Sequence, residues 1–377
     1  MPKRILVITN DFPPRPGGIQ SFVYGLVSRL PTDSVVVMTS AWRGSDEFDT
    51  QQPFPVVRIK SSVLLPGPRA KAMAKRLIDQ YDCDRVLFGA SAPLALMVPF
   101  LRKAGIKRCV GLTHGHEAGW TRWPIARSII KRVGRNLDVM TYLGSYTQGL
   151  IAPVVGPQAA AHMVQLTPGV DPTMFSPDID GADVRAVHSL TDRPVIVCIS
   201  RLMKRKGQDV LIRAMSQVNK AVPGAALLIV GGGPERKNLQ RLVSASHLDG
   251  DVIFAGSVPW AKLPEHYAAG DVFAMPCRTR NGGLDVEGLG IVYLEASATG
   301  LPVVGGRSGG APDAVREGVT GFSVDGNDVD QVAQRLIELL NDRDRAHQMG
   351  QAGRVWVEEN WTWDKQVNGL LAVLNEL

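Results

Sequence analysis

The chain has 377 residues, of which 45% are hydrophobic and 21% charged, and it carries a formal net charge of +6. That length exceeds one ordinary core and predicts two domains, while no window approaches the ~18 uninterrupted apolar residues of a spanning helix. The basic balance favours anionic partners, but zinc-finger spacing and an aromatic RNA-binding signature are both missing, so nucleic acid is not expected.

In chain order, the first apolar run after "MPKR" is "ILVIT", too short for a signal-peptide core, and it reads as a strand. Strand candidates in the first half are 5–9, 35–39, 56–59, 85–89, 108–114 and 139–144. Those in the second half are 195–200, 226–233, 252–256, 272–276, 302–306 and 321–324. Such continuous apolar strands suit parallel sheets covered on both faces. Between the first two strands Ile19, Phe22, Val23, Leu26, Val27 and Leu30 fall on one helix face, and Val332, Leu336, Ile337 and Leu340 repeat the pattern near the end. The architecture predicted is α/β with two doubly wound sheets, divided at the Pro-, Gly- and Asp-rich stretch 166–184. Ligands of such folds bind at the carboxyl ends of the strands, and two such domains facing each other predict a shared cleft. Cys83, Cys109, Cys198 and Cys277 show no metal-like spacing and are expected to be buried free thiols of a reducing cytoplasm.

Four motifs carry chemistry. "NDFPPRPGGIQSF" puts Gly17 and Gly18 where a loop enters a helix, a place where backbone amides approach an anion, although a plain tight turn explains the pair equally well. It is not a GxGxxG, and no P-loop occurs, which counts against a dehydrogenase or a P-loop ATPase. "LTHGHEAGW" puts His114 and His116 at a strand's carboxyl end; Glu117 is the only further ligand at a sensible spacing, so a substrate-binding histidine is favoured over a metal. "SRLMKRKGQD" crowds Arg201, Lys204, Arg205 and Lys206 into a strand-to-helix loop, and Arg201 and Lys206 suit a diphosphate. Of three D-x-D triplets, 82–84 abuts a strand's entry end, 178–180 lies in the linker and 328–330 opens a late helix where acids serve as caps, so none is placed to hold a metal.

The fourth motif is "EGLGIVYLEASATGLPVVGGRSGGAPDAV". Gly288 and Gly290 break the entry to a helix over "IVYLEASA", which makes Glu287 a loop residue and Glu295 a helix residue about one turn inside. The amides of Leu289, Gly290, Ile291 and Val292 are then free to meet an anion, with one carboxylate ahead of it and one beside it.

The acid–seven–acid motif, with "SRLMKRKGQD", "TPGVDPTMFSP", "LIVGGGPER" and "DFPPRPGGIQ" in this order, resembles the retaining glycosyltransferases of family 4, over essentially the whole chain. "LTHGHE" and "GGRSGGAPDAV" are similar to the actinobacterial mannosyltransferases of phosphatidylinositol mannoside synthesis. The resemblance implies a GT-B fold of two Rossmann-like domains: 1–168 binding the acceptor, 169–356 binding the nucleotide sugar, and a terminal helix, 357–377, returning to the first. It implies a GDP-mannose-dependent hexosyltransferase that uses no cofactor and no metal. Gly17 and Gly18 would give amides to the diphosphate, and Arg201 and Lys206 would stabilise the departing nucleotide. Glu287 would hold the donor sugar, with the amides of Gly288, Leu289, Gly290, Ile291 and Val292 assisting, and Glu295 would hold the ribose. His114 would touch the sugar, while Val258 and Lys262 would read the base. "VEGLGI" and "GWTRWP" depart from the family's commoner pattern, which bears on the acceptor more than on the reaction.

A lipid acceptor predicts contact with an anionic membrane, and hence peripheral attachment to the cytoplasmic face of the plasma membrane. "SVLLPGPRAKAMAKRL" and "GWTRWPIARSIIKRVGR" are basic, apolar and partly aromatic, although solvated helix faces explain them too. The rival readings are a soluble-acceptor glycosyltransferase, a sugar-nucleotide epimerase and a non-catalytic binding module.

Overall fold

The computed structural model describes residues 3–376, apart from the side chains of His116 and Ala118. The chain forms two compact units, one of Met1–Gly169 with Trp363–Leu377 and one of Val170–Thr362.

The first unit is built on a parallel sheet of β1 (Arg4–Ile8), β2 (Val35–Ser40), β3 (Val56–Ile59), β4 (Cys83–Phe88), β5 (Arg108–Gly111), β6 (Val139–Tyr142) and β7 (Met163–Gln165), in the order β3-β2-β1-β4-β5-β6-β7. Register runs Ile5 to Val35 on one side of β1 and Leu6 to Val86 on the other. Successive side chains of a strand face opposite ways. Accordingly Ile5, Val7, Val35 and Val37 pack under helices Gly18–Val27 and Trp363–Asn375, while Leu6, Ile8, Val36 and Met38 pack under helices Pro68–Tyr81 and Pro124–Asn136. Both faces are therefore apolar, which is why the strands read as unbroken hydrophobic runs. The predicted helix face is the buried one: Phe22, Val23, Leu26, Val27 and Leu30 are all within the core. β7 escaped sequence reading because it is a three-residue edge strand, too short to show a period.

The second unit has β8 (Val195–Ile199), β9 (Ala226–Val230), β10 (Val252–Gly256), β11 (Val272–Met275), β12 (Val303–Gly306) and β13 (Gly321–Val324), in the order β10-β9-β8-β11-β12-β13, again parallel. Asp328 caps helix Val329–Asn341 by accepting from Gln331 N at 2.9 Å, so this member of a D-x-D triplet is a helix cap. All four cysteines are buried and free. Burial pushes the thiols of Cys83, Cys109 and Cys198 up to about 12 and that of Cys277 to about 11.

The last boundary differs from the expected break at 356/357. Helix Arg343–Asn360 runs straight through that point, with Val357 and Trp361 buried in the second unit's core. Arg354 Nη1 also bonds the carbonyls of Pro172, Phe175 and Ala298 at 2.8, 2.7 and 2.8 Å. The chain rejoins the first unit only at Trp363, whose ring lies where a Cβ on Gly25 would stand, 2.2 Å away. Thr167 N then donates to Gln366 Oε1 at 3.0 Å and secures the returning helix.

Candidate active site

In each sheet strand order reverses at one place, between β1 and β4 in the first unit and between β8 and β11 in the second. Loops leaving the carboxyl ends there diverge and leave a crevice. The loops that carry Gly17 and Gly18, Arg201 and Lys206, and Glu287 leave β1, β8 and β11 at these switch points, whereas His114, Val258 and Lys262 follow strands farther out.

In the second unit the loop after β8 carries Arg201 and Lys206. Gly207 closes it at φ +78°, and a Cβ there would stand 2.0 Å from Pro276 O, so only glycine lets this loop lie against the one leaving β11. Gln208, nearly fully buried, donates to Ser200 Oγ at 2.8 Å and to Arg201 O at 3.2 Å, which fixes the backbone beneath Arg201. Arg201 itself is exposed, with no side-chain partner among the described residues. Lys206 is the opposite case: it is buried, and its Nζ sits 2.6 Å from Glu287 Oε2. Arg205 Nε lies 3.7 Å from the same oxygen and its Nη1 3.5 Å from Asp285. Residues 81 positions apart thus meet as a buried ion pair flanked by a second cation.

Glu287 is held by its backbone. Its N–H reaches Ser308 Oγ at 3.3 Å and its carbonyl accepts from Gly310 N at 2.9 Å. Gly309 sits at φ +54°, and a Cβ on it would lie 2.1 Å from that carbonyl. Helix Ile291–Ala298 then starts from Gly290, in the left-handed region at φ +81°. Among the described residues the amides of Gly288, Leu289, Gly290, Ile291 and Val292 make no backbone hydrogen bond, whereas Tyr293 N already bonds Gly290 O at 2.9 Å. These amides and the helix dipole favour an anion ahead of the helix.

Glu295 lies within the helix, buried, with Oε2 accepting from Tyr267 Oη at 2.7 Å. Burial pushes its carboxyl up to about 7 from an ordinary 4.5, with the Tyr267 hydroxyl pulling the other way. The acid therefore changes charge near neutrality. Because its folded pKa is raised, the stability it contributes is full below about 4.5 and is lost as pH rises through about 7. A ligand whose hydroxyls donate to the carboxylate binds the ionised form. Its affinity is expected to rise roughly tenfold between pH 6 and pH 8, as the ionised fraction grows. Titrating a nucleotide sugar by calorimetry across that range checks this; Glu295→Gln should flatten the profile, and a flat wild-type profile would contradict it.

Val258 and Lys262 follow β10, two strands from the switch point. Val258 is half-buried against the core, but Lys262 is 60% exposed and is taken up by Glu265 Oε1 at 2.7 Å. That pair raises the Lys262 pKa.

In the first unit Gly17 caps helix Gly18–Val27 at φ +153°, and a Cβ on it would stand 2.1 Å from Gln20 Oε1. Gln20 is itself occupied, donating to Asp11 Oδ1 at 2.7 Å. Gly18 meets nothing within 4 Å. His114 follows β5; its ring Nε2 hydrogen-bonds Gly89 O at the end of β4, and since a carbonyl only accepts, that nitrogen carries the proton. Its amide donates to buried Glu117 at 2.9 Å and its ring meets Phe22 edge-on at 5.6 Å. The histidine is thus fixed beside the helix that Gly17 opens. The sequence does not reveal Tyr267, Gln208, Ser308 or Gln20, because each matters through a partner that no motif spacing shows.

The family model "Glycosyl transferases group 1" matches residues 182–356. A GDP-mannose-dependent alpha-(1-6)-phosphatidylinositol monomannoside mannosyltransferase of Mycolicibacterium smegmatis is 50% identical over 364 residues, 95% of each chain. A Corynebacterium glutamicum enzyme, named for the monoacylated form of that monomannoside, is 44% identical over 367 residues, 96% of this chain and 95% of its own. Among solved structures, Anabaena Alr3699/HepE in complex with UDP superposes with a TM-score of 0.83 at 19% identity, covering 99% of this chain and 100% of that one. WaaG, a glycosyltransferase of lipopolysaccharide biosynthesis, gives 0.67 at 17% identity, covering 99% and 100%. With half its residues shared along nearly the full length of the mycobacterial relative, the family model matched over 182–356 and the two-sheet fold shared with solved glycosyltransferases, the chain belongs to the group 1 glycosyl transferases of GT-B fold.

Proposed function

We propose that the enzyme transfers mannose from GDP-mannose to a phosphatidylinositol mannoside lipid, adding the second mannose with retained α configuration and without a metal. The observation that carries the reading is the buried Lys206–Glu287 pair set before the free amides of helix Ile291–Ala298. The relatives' printed activities supply donor and acceptor. As the sugar–phosphate bond lengthens, negative charge builds on the diphosphate, where Arg201, Lys206 and the amides from Gly288 to Val292 stabilise it more than in the ground state. Glu287 takes hydroxyls of the mannose and Glu295 those of the ribose. Val258 and Lys262 read the base. In the first unit Gly17 and Gly18 offer amides to the phosphates and His114 attends the sugar. A donor phosphate oxygen takes the acceptor's proton on the face the leaving group departs from. Incubation with radiolabelled GDP-mannose, membrane lipids and soluble sugars in parallel tests the whole reading. Label is expected in the lipid extract; label in soluble glycosides alone, or donor consumed without a glycoside, would overturn it.

Membrane attachment is part of the proposal. Among the described residues no helix is long and apolar enough to cross a membrane. Helix Pro68–Tyr81 buries Ala70, Ala74, Leu77 and Ile78 and leaves Arg69, Lys75 and Arg76 in solvent, behind a loop whose Val63 and Leu65 are 50% and 62% exposed. Trp123 and Ile125, 63% and 81% exposed, precede the exposed Lys131, Arg132 and Arg135 of helix Pro124–Asn136. Trp120, grouped with them in the sequence, instead packs on the core. Co-sedimentation with vesicles is expected to rise with anionic lipid and fall with salt; binding indifferent to both would rule the attachment out.

A further inference from the structure

The loops leaving β1, β2 and β3 each carry a cation that the donor chemistry does not use: Arg15, Arg43 and Lys60. None has an acidic partner among the described residues. Arg15 lies over the ring of Trp42, its guanidinium carbon 5.0 Å from the centroid, and Trp42 is 41% exposed. An arginine stacked this way keeps the edge of its planar fork free for an anion, which is how guanidinium recognises phosphate.

What distinguishes this pair from a chance surface contact is the framework beneath it. Arg58 in β3 has a side chain only 9% exposed. Its Nε and Nη2 fork onto the Asp49 carboxylate at 2.7 and 2.8 Å, its Nη1 reaches Ser40 O at 2.9 Å, and its Nη2 reaches Pro13 O at 2.6 Å. One buried side chain therefore ties the proline loop that carries Arg15, the end of β2 that leads to Trp42, and helix Ser45–Thr50. Ser45 holds Trp42 from below, accepting from its N–H at 3.0 Å and donating to its carbonyl at 2.6 Å. Phe12, fully buried, wedges edge-on between Tyr24 and Phe48 at 5.8 and 6.1 Å and anchors the same loop. Ala41 N donates to Ser61 O at 2.8 Å, and so joins the β2 loop to the loop that carries Lys60. Loops normally tolerate motion; these are fixed by a buried charge with its donors satisfied, as a preorganised anion receptor requires.

We infer that Arg15 and Trp42 form the seat for the acceptor's anionic headgroup. A phosphodiester lies on the Arg15 fork within the field of Arg43 and Lys60, and a saturated cyclitol ring lies against the exposed indole. Arg58 acts as a positioning residue. The inference rests on the proposed reading that the acceptor is a phosphorylated cyclitol lipid, and it adds which residues read that headgroup.

The test separates headgroup recognition from general attraction to an anionic surface. Wild type, Arg15→Gln, Arg15→Lys and Trp42→Ala are titrated by calorimetry with the deacylated, water-soluble headgroup, and assayed with the acylated acceptor in neutral detergent. Arg15→Gln is expected to weaken headgroup binding and raise the acceptor KM tenfold or more, with kcat and GDP-mannose affinity within twofold of wild type. Arg15→Lys should recover part of that loss, since it restores charge without the fork, and Trp42→Ala should weaken binding severalfold. Arg58→Lys, which cannot make the fork, should raise the acceptor KM and leave donor affinity alone. Headgroup binding unchanged in Arg15→Gln would overturn the seat, as would an effect confined to anionic vesicles. If wild type binds the headgroup through Arg15 but transfers no mannose, the seat stands and the proposed reaction fails.

Discussion

Lys206→Ala is expected to lower kcat about a hundred- to a thousandfold, as loss of one preorganised group facing developing charge does elsewhere, while changing GDP-mannose affinity far less. In the free protein Nζ is 2.6 Å from Glu287 Oε2 and both side chains are about one-tenth exposed. Removing the lysine therefore also leaves a buried carboxylate with only Arg205 Nε, 3.7 Å away, as its cation, which destabilises the fold. Stability and catalysis separate in the double variant. Lys206→Ala with Glu287→Gln no longer contains a poorly compensated buried carboxylate, so its melting temperature should recover towards wild type while turnover stays low. Steady-state kinetics with thermal melts of both variants decide it. Turnover that recovers together with stability would make the pair a structural salt bridge and remove Lys206 from the chemistry.

Gly309→Ala should be nearly as damaging, although no side chain with chemistry is touched. The new methyl would arrive 2.1 Å from the Glu287 carbonyl oxygen, and the residue is held at φ +54°, which an alanine resists. That carbonyl and Gly310 N form the bond that seats the Glu287 loop. The loop must give way, moving the carboxylate from Lys206 and disturbing the free amides behind it. We expect kcat/KM to fall at least about a hundredfold, since small displacements of positioning groups cost that much, with a melting temperature lower by several degrees. As a control, Gly318→Ala also sits at positive φ, +71°, but meets nothing within 4 Å. It should lose some stability and keep its activity. Equal losses of activity in the two variants would mean that generic backbone strain, not displacement of Glu287, is responsible.

The sequence is most legible where burial is continuous. Strands such as Val195–Ile199 are covered on both faces, so their apolar runs need no partner to be recognised, and helix Gly18–Val27 shows its buried face in its period. The break near the C-terminus is illegible for a related reason. Helix Arg343–Asn360 is uniform across 356/357, and what ends the second unit is the return of Trp363 to a notch that Gly25 and Gly169 leave open far away in sequence. At the site, glycine and charge spacing reveal the helix entry and both acids. They do not reveal Tyr267, 28 residues from the Glu295 carboxylate it bonds, or Arg58, whose acceptors lie in three separate segments. Local propensity and periodicity are written in neighbouring residues. The polar contacts that tune a buried acid or lock three loops are written only in the folded chain.

The proposed reaction moves mannose onto a phosphatidylinositol mannoside with its configuration kept and without help from a metal. The most direct measurement incubates the protein with GDP-mannose, purified monomannosylated phosphatidylinositol and excess EDTA, then determines the mass and anomeric configuration of the lipid product by mass spectrometry and NMR. One added hexose in α linkage is expected, formed as fast with EDTA as without. A β-linked product, a reaction abolished by EDTA, or an unmodified lipid beside an active transfer to soluble sugars would contradict it.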